Sequence, residues 1–298
     1  MKRKHWMLVA LTALFSILLL AGCNNDTEDA NAPADNDSKE KKVTPGEYED
    51  GIYFAQEDSF SEESGWKYMV TLEVEDGKIV SADWNGAHKS AGDDKDTVSA
   101  NGEYGMVENG GAQAEWHEQA EKVEAHLVET QDPTEIEYTN DEGATDAISG
   151  VTIKVGTFFT LAEKALADGP VEKGAYKDGA YHAEEADFSE ESGWKYTVDL
   201  TVVNGNVVAA DWNGVHKDGG DDKDTVSANG EYGMVENGGA QAEWHEQAEK
   251  VEAHLVETQD PTEIEYTNDE GATDAISGVT IKVGTFFTLA EEALADAK

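Results

Sequence analysis

Hydrophobic and polar residues alternate along two separate stretches of the chain, and each stretch predicts a β-hairpin. In the first, large apolar side chains occupy every second position, which is the period of a half-buried strand. Asp76-Gly77 then accepts the positive φ angles of a type I′ turn, and 79–84 forms the returning strand. The second stretch repeats this pattern around Asn204-Gly205. The alternating residues of the first strand are Trp66, Tyr68, Val70, Leu72 and Val74.

Two further stretches have the periodicity of amphipathic helices. The first, 112–129, places its apolar residues along one face, and the second begins after Thr152. This spacing predicts that Thr152 lies at or just before the first turn of the second helix. The apolar residues of the first helix are Trp116, Ala120, Val123 and Leu127, and those of the second are Val155, Phe158, Phe159, Ala162, Ala165 and Leu166.

The segments between these elements are predicted to be short or irregular. Residues 86–111 are rich in Gly, Asp, Asn and Ser, which indicates a long loop, and 135–139 is predicted as a short strand. Together these elements predict an α+β domain with an antiparallel sheet and at least two packed helices.

The chain contains this domain twice, at a constant offset of 128 positions without insertion or deletion. Residues 92–163 and 220–291 are identical, which a recent duplication explains. We therefore expect two similar domains, 46–169 and 174–298, each long enough to bury its own core. The Gly/Pro-containing segment 168–174 is the predicted linker.

Residues 1–22 have the pattern of a secretory signal peptide. Lys2-Arg-Lys4 precedes an apolar run, 6–21, which ends in Leu20-Ala-Gly-Cys23. The last four residues resemble a bacterial lipobox, and this resemblance implies that Cys23 becomes a lipidated N-terminus on the outer face of the cell membrane. The alternative is a membrane-spanning anchor, for which roughly 16 apolar residues are short.

Two further expectations concern the N-terminal region. Residues 23–45 contain almost no large apolar side chains, so they predict a flexible acidic tether behind the lipidated cysteine. Within the leader, 14–22 looks like the peptide pheromones that some Gram-positive bacteria release from lipoprotein leaders. The leader is thus also a candidate pheromone precursor.

Charge and cysteine content exclude several functions. The formal net charge is −43, and Arg3, in the leader, is the only arginine, so binding to nucleic acid or to an anionic lipid surface is disfavoured. One cysteine excludes an intrachain disulfide and a multi-thiolate metal site. Gly92-Asp-Asp-Lys-Asp96 lacks the spacing of an EF-hand, and His117 and His126 lie on opposite sides of their helix. We therefore predict no metal site and no catalytic acid–base pair.

Three motifs resemble one protein family when taken together. They are Tyr48-Glu-Asp-Gly-Ile-Tyr53, the Trp-rich hairpin, and Asp146-Ala-Ile-Ser-Gly-Val-Thr152 before a helix. The combination is similar to the FMN-binding domain of the flavin-bearing subunits of Rnf and Na⁺-pumping quinone reductases. It is most similar to the two-domain flavin lipoproteins of Gram-positive extracellular electron transfer, whose leaders also resemble pheromone precursors. The resemblance covers nearly all of 46–298.

The resemblance implies two covalent FMN groups, each joined through its phosphate to a threonine. The acceptors are Thr152 and Thr280, and Val151 and Val279 replace the alanine usual in the family. The other matching motif residues are Asp146, Ser149 and Gly150 in the first copy and Asp274, Ser277 and Gly278 in the second. Candidate walls for the flavin rings are Trp84, Tyr104 and Trp116, with Trp212, Tyr232 and Trp244.

The implied function is that of a lipid-anchored extracellular electron carrier rather than a committed enzyme. Its donor would be membrane quinol or a membrane NADH dehydrogenase-type flavoprotein, and its acceptors ferric iron or soluble flavins. A separate FMN transferase using Mg²⁺ and FAD would attach the cofactor. The alternative is a cell-surface lipoprotein that binds a cation, solute or glycan through its Trp and acidic residues.

Overall fold

The computed structural model describes residues 44–298. The first repeat contains three strands, β1 (Gly51–Gln56), β2 (Trp66–Glu75) and β3 (Lys78–His88), and three helices, α1 (Lys95–Ala100), α2 (Trp116–Thr130) and α3 (Gly156–Asp168). The second contains β4 (Gly179–Glu184), β5 (Trp194–Val203), β6 (Asn206–His216), α4 (Lys223–Ala228), α5 (Trp244–Thr258) and α6 (Gly284–Ala293), followed by a 3₁₀ turn, Leu294–Asp296. The predicted α+β fold class is confirmed.

The leader, Cys23 and most of the predicted tether lie outside the described residues. Within 44–298, none of the helices has the length and apolar character needed to span a bilayer.

Each repeat forms its own antiparallel sheet, with strand orders β1-β2-β3 and β4-β5-β6. The predicted hairpins are confirmed: Asp76 and Gly77 have φ angles of 51° and 75°, and Asn204 and Gly205 have 50° and 73°. These positive values fit the type I′ turn that joins β2 to β3 and β5 to β6.

The helices α2 and α3 cover one face of the first sheet, as the apolar stripes predict. All four stripe residues of α2 and all six of the second stripe are buried, with Trp84 of β3 at their centre. The ring of Trp84 lies 5.3 Å from that of Trp116 and 5.4 Å from that of Phe158. The second repeat has an equivalent core around Trp212.

Two predicted boundaries were wrong. The segment 86–111 is not entirely loop, because β3 extends to His88 and α1 follows Asp94, whose carboxylate accepts the Thr97 N–H at 2.9 Å. The helix predicted from 112 begins four residues later, after Glu115, which forms a capping box with Glu118.

The predicted strand 135–139 is instead irregular, and it is held by local hydrogen bonds. The Thr139 N–H donates to the carbonyl of Ala144 at 2.8 Å, and the Thr145 hydroxyl donates to the carbonyl of Glu137 at 2.7 Å. The segment 135–145 therefore forms hydrogen bonds within itself and has no neighbouring strand with which to pair.

The repeats contact each other through the outer faces of their sheets, and the described residues 44–298 belong to one compact unit. Lys67 Nζ donates a hydrogen bond of 2.9 Å to the carbonyl oxygen of Val208, and Thr201 Oγ1 donates one of 2.8 Å to that of Gly92. A small buried cluster fills the contact and consists of Met69, Ala87, Val203, Val208 and Ala209. In the linker, the N–H of Val171 donates to the carbonyl of Ile52 at 2.7 Å.

The two repeats use different parts of their sheets for this contact. Buried Met69 corresponds to Thr197 in the second repeat, and buried Val203 corresponds to exposed Glu75 in the first. At these two positions, the residue in the contact is apolar and its counterpart on the free surface is polar.

Candidate functional site

Thr152 lies in an exposed segment between a turn and α3. The prediction that it lies at or just before the first turn of the helix was wrong by about one turn, because α3 begins four residues later, at Gly156. Residues 152–154 lie beside α2 and are not helical. The Val155 N–H donates to the carbonyl of Gly143 at 2.8 Å. The backbone N–H groups at the start of α3 therefore belong to residues at least four positions after Thr152.

Gln119, on α2, holds the acceptor segment in place. Its Oε1 accepts hydrogen bonds from the backbone N–H of Thr152 at 2.7 Å, from the Thr152 hydroxyl at 3.2 Å and from the Ile153 N–H at 3.3 Å. Its Nε2 donates to the carbonyl of Ala114 at 3.0 Å, and the side chain is only 1% exposed. A buried, fully engaged amide thus fixes the backbone and hydroxyl of an exposed threonine.

In the turn before Thr152, some residues of the motif 146–152 are buried and others are exposed. Ile148 and Val151 point into the core at 7% and 8% exposure, and the Val151 N–H donates to the Ile148 carbonyl at 3.3 Å. Asp146, Ser149 and Gly150 are exposed on the outside of the turn.

This orientation bears on Val151, which stands where the proteins that the sequence resembles usually have alanine. The side chain of Val151 packs in the core, while Thr152 is an exposed residue. The larger side chain therefore fills the interior of the domain rather than the space around the acceptor.

Lys122 brings a positive charge to the same turn. Its Nζ donates to the carbonyl oxygen of Gly150 at 3.3 Å. Gly150 has a φ of +76°, and a Cβ at this position would lie 3.1 Å from the lysine Nζ. Glycine therefore serves two purposes here, since it adopts the left-handed conformation and leaves room for the ammonium.

The second repeat reproduces the glutamine contacts and places Lys250 near the equivalent glycine. Gln247 Oε1 accepts from the Thr280 N–H at 2.7 Å and from its hydroxyl at 3.1 Å. Gly278 has a φ of +79°, and a Cβ on it would lie 3.0 Å from Lys250 Nζ. Val279 is buried, while Asp274 and Ser277 are exposed.

The aromatic candidates for flavin walls are mostly interior residues. Trp84 and Trp116 are each 2% exposed and pack against one another in the core, as do Trp212 and Trp244. Tyr104 and Tyr232 are half-buried and take part in a different arrangement, described next.

Lys95 is fully buried inside a cage of four aromatic rings, a feature that sequence reasoning missed. Its Nζ lies 3.9 Å from the ring centroid of Tyr104 and 4.1 Å from that of Trp66, with two further rings at 5.3 and 5.4 Å. Among the described residues the Nζ has no hydrogen-bond partner, and burial lowers its pKa to about 7. Lys223 has the same surroundings.

Glu124 is a second titratable group that the sequence did not single out. Its Oε1 accepts the Trp84 N–H at 2.8 Å, which ties α2 to β3. Burial raises the pKa of Glu124 to about 8, the charge of Asp83 adds to the rise, and the hydrogen bond from Trp84 opposes it. The carboxyl is therefore largely protonated near neutral pH and acts as a structural acceptor.

The polar residues of the 92–96 and 117 regions take part in local hydrogen bonds. Asp94 caps α1, and His117 forms a hydrogen bond of 2.9 Å through its Nδ1 with Ser99 Oγ. Across residues 44–298, no group of three or more His, Cys, Asp or Glu side chains is arranged to hold a metal ion.

No protein-family model matches this chain, and no curated protein matches it significantly. A solution NMR structure of a protein from Clostridium thermocellum is 68% identical, covering 40% of this chain and 90% of its own, with a TM-score of 0.33. A crystal structure of a protein from Clostridium perfringens is 24% identical, covering 41% of this chain and 89% of its own, also with a TM-score of 0.33. The chain is thus similar, over close to the length of one repeat, to proteins of solved structure that are not named for a ligand or an activity.

Proposed function

We propose that this protein is a lipid-anchored extracellular electron carrier with two FMN groups, joined by phosphodiester bonds to Thr152 and Thr280. The observation that best supports the proposal is how the structure positions the two threonines. Each threonine is an exposed residue directly after a turn, and the side-chain oxygen of a buried glutamine accepts hydrogen bonds from its backbone N–H and its hydroxyl.

The residues around each threonine fit a phosphodiester. Lys122 lies over the turn, Gly150 leaves the backbone accessible, and Val151 points away into the core. Attachment through a hydroxyl does not require an arginine that binds the phosphate through two hydrogen bonds. This suits a chain whose single arginine is in the leader. A covalent bond also retains the cofactor outside the cell, where a dissociable one would diffuse away.

When bound, flavin exchanges one or two electrons and so connects two-electron quinol chemistry with one-electron acceptors such as ferric iron. The protein would supply the anchor, the attachment points and the spacing of the two groups. The donor would be membrane quinol or a membrane NADH dehydrogenase-type flavoprotein, and soluble flavin would be a further acceptor. A separate FMN transferase would carry out the attachment, and the leader remains a candidate pheromone precursor.

The alternative, a module that binds a cation, solute or glycan, finds less support in the packing. The six Trp residues within 44–298 are at most 9% exposed, so none offers an open ring face for a sugar. Each aromatic cage already surrounds a lysine of the protein itself.

The test is to produce residues 24–298 in a host that exports the protein and expresses an FMN transferase. The protein is then precipitated with acid and redissolved in denaturant. Covalent attachment predicts that the flavin absorbance stays with the protein, whereas a colourless precipitate would count against the proposal. Production without the transferase is the control, and it should give colourless protein.

A further inference from the structure

Lys122 lies directly over the turn that presents the proposed acceptor. It follows Gln119 by three residues on α2, so both side chains reach the same side of the helix. Gln119 contacts Thr152, and Lys122 Nζ contacts the carbonyl of Gly150, two residues earlier, at 3.3 Å. The ammonium and the acceptor hydroxyl therefore flank one short stretch of backbone.

The positive charge of Lys122 beside this turn is significant because the chain as a whole is strongly acidic. The chain carries 64 acidic and 21 basic residues, and several of its lysines form ion pairs with carboxylates. Lys154 lies 2.8 Å from Glu142, and Lys195 lies 2.7 Å from Glu184. Lys122 instead directs its charge at a backbone carbonyl next to Thr152, where it is available to an incoming anion.

We propose that Lys122 and Lys250 are the counter-charges for the phosphates at Thr152 and Thr280. They would act as positioning residues, both during attachment and in the finished diester. This inference rests on the proposed function. A lysine suits the role because its flexible stem lets the ammonium move from the carbonyl to a phosphate oxygen within reach of the same turn.

The attachment step defines what the lysine does. Thr152 Oγ forms a bond to the flavin-side phosphorus of FAD, the pyrophosphate bond breaks, and AMP leaves with the electron pair of that bond. The hydroxyl proton passes to a base of the transferase, and Lys122 transfers no proton. Its ammonium offsets the negative charge on the phosphate oxygens during the step and pairs with the single charge that remains on the diester.

The experiment uses a variant with a single acceptor, because the two sites have identical local sequences. In a Thr280→Ala background, only Thr152 can be modified, and Lys122→Glu and Lys122→Arg are made in that background. Lys164→Glu is the matched control. It reverses an exposed charge on α3, away from the turn, and installs the residue that the second repeat has at the same position, Glu292.

The measurement is the initial rate at which the flavinylated intact mass appears with purified transferase, FAD and Mg²⁺. Lys122→Glu should lower this rate about fivefold at low salt, the size of effect expected of one partly exposed charge pair. The deficit should shrink as salt is added, because salt screens exposed charges. Lys122→Arg and the Lys164→Glu control should each stay within about twofold of the parent.

An unchanged rate in Lys122→Glu, or a deficit that salt does not reduce, would overturn the inference while leaving the proposed function intact. Thermal unfolding followed by circular dichroism shows whether each variant is folded. If Lys122→Glu is destabilised, the same comparison is made with Lys122→Gln. A parent protein that stays unmodified would instead refute the proposed function itself.

Discussion

Lys67 of the first repeat donates a hydrogen bond from its Nζ to the backbone carbonyl of Val208 in the second, over 2.9 Å. Val208 belongs to β6, which is an edge strand of its sheet. The lysine thus satisfies part of an edge that would otherwise present unpaired backbone groups. Its counterpart, Lys195, forms an ion pair with Glu184 instead, so the repeats have acquired different roles at this position.

This contact predicts that the two repeats unfold together. Val203 is buried where the sheets meet, and its counterpart Glu75 is exposed. Val203→Glu should bury a carboxylate in that contact and weaken the association of the repeats by roughly 3 kcal/mol. Differential scanning calorimetry should then show two transitions, or one at a lower temperature.

The reverse exchange, Glu75→Val, is the control for this experiment. Because Glu75 is on a free surface, the change should alter stability by less than about 0.5 kcal/mol. Identical calorimetric traces for Val203→Glu and the parent protein would show that the repeats do not stabilise each other.

The caged Lys95 predicts a specific dependence of stability on pH. Burial lowers its pKa from 10.5 to about 7 in the folded protein, so the folded state releases a proton that the unfolded state keeps between these values. The cost of burying the ammonium is greatest below pH 7 and disappears as the pH rises toward 10.5. The four rings offset part of this cost through cation–π attraction.

Lys95→Met removes the charge while retaining most of the side-chain volume. We expect it to raise the free energy of unfolding at pH 6 by on the order of 1–3 kcal/mol and to have a smaller effect at pH 9. Chemical denaturation at the two pH values measures the difference, with exposed Lys78→Met as the control. A gain that is the same at both pH values would contradict the predicted titration of Lys95.

Much of the fold could be predicted from the sequence because it depends on local patterns. The alternation of β2 and the Asp76-Gly77 turn determine the hairpin, and the apolar stripes determine which faces of α2 and α3 are buried. The strand at 135–139 was predicted wrongly because its composition favours a strand only where a partner strand exists. No partner lies beside it in the folded chain.

The contacts that the sequence did not reveal are those between distant residues. Lys67 and Met69 occupy the polar positions of the alternating pattern, yet both are buried because the second sheet covers them. Lys95 lies in a segment whose composition indicates solvent exposure, and only the fold brings four rings around it. The motif identified Thr152, but its tie to Gln119, 33 residues earlier, required the structure.

The net charge predicts how the proposed carrier, once reduced, should discriminate among acceptors. With a formal charge of −43, the protein attracts cations and repels anions over distances set by the ionic strength. Stopped-flow oxidation by a cationic one-electron acceptor should be at least about tenfold faster than by an anionic one of similar potential in low salt. The two rates should converge as salt rises, and equal rates in low salt would refute the prediction.

The proposed function requires that Thr152 and Thr280 each carry one FMN. Peptide mapping alone cannot distinguish them, because residues 92–163 and 220–291 are identical and give the same tryptic fragment around each threonine. The most direct measurement is therefore the intact mass of four proteins made with the transferase: the parent, Thr152→Ala, Thr280→Ala and the double variant. After correction for the substitutions, we predict two, one, one and no additions, each equal to FMN less one water. A parent without added mass, or a double variant that retains it, would contradict the account.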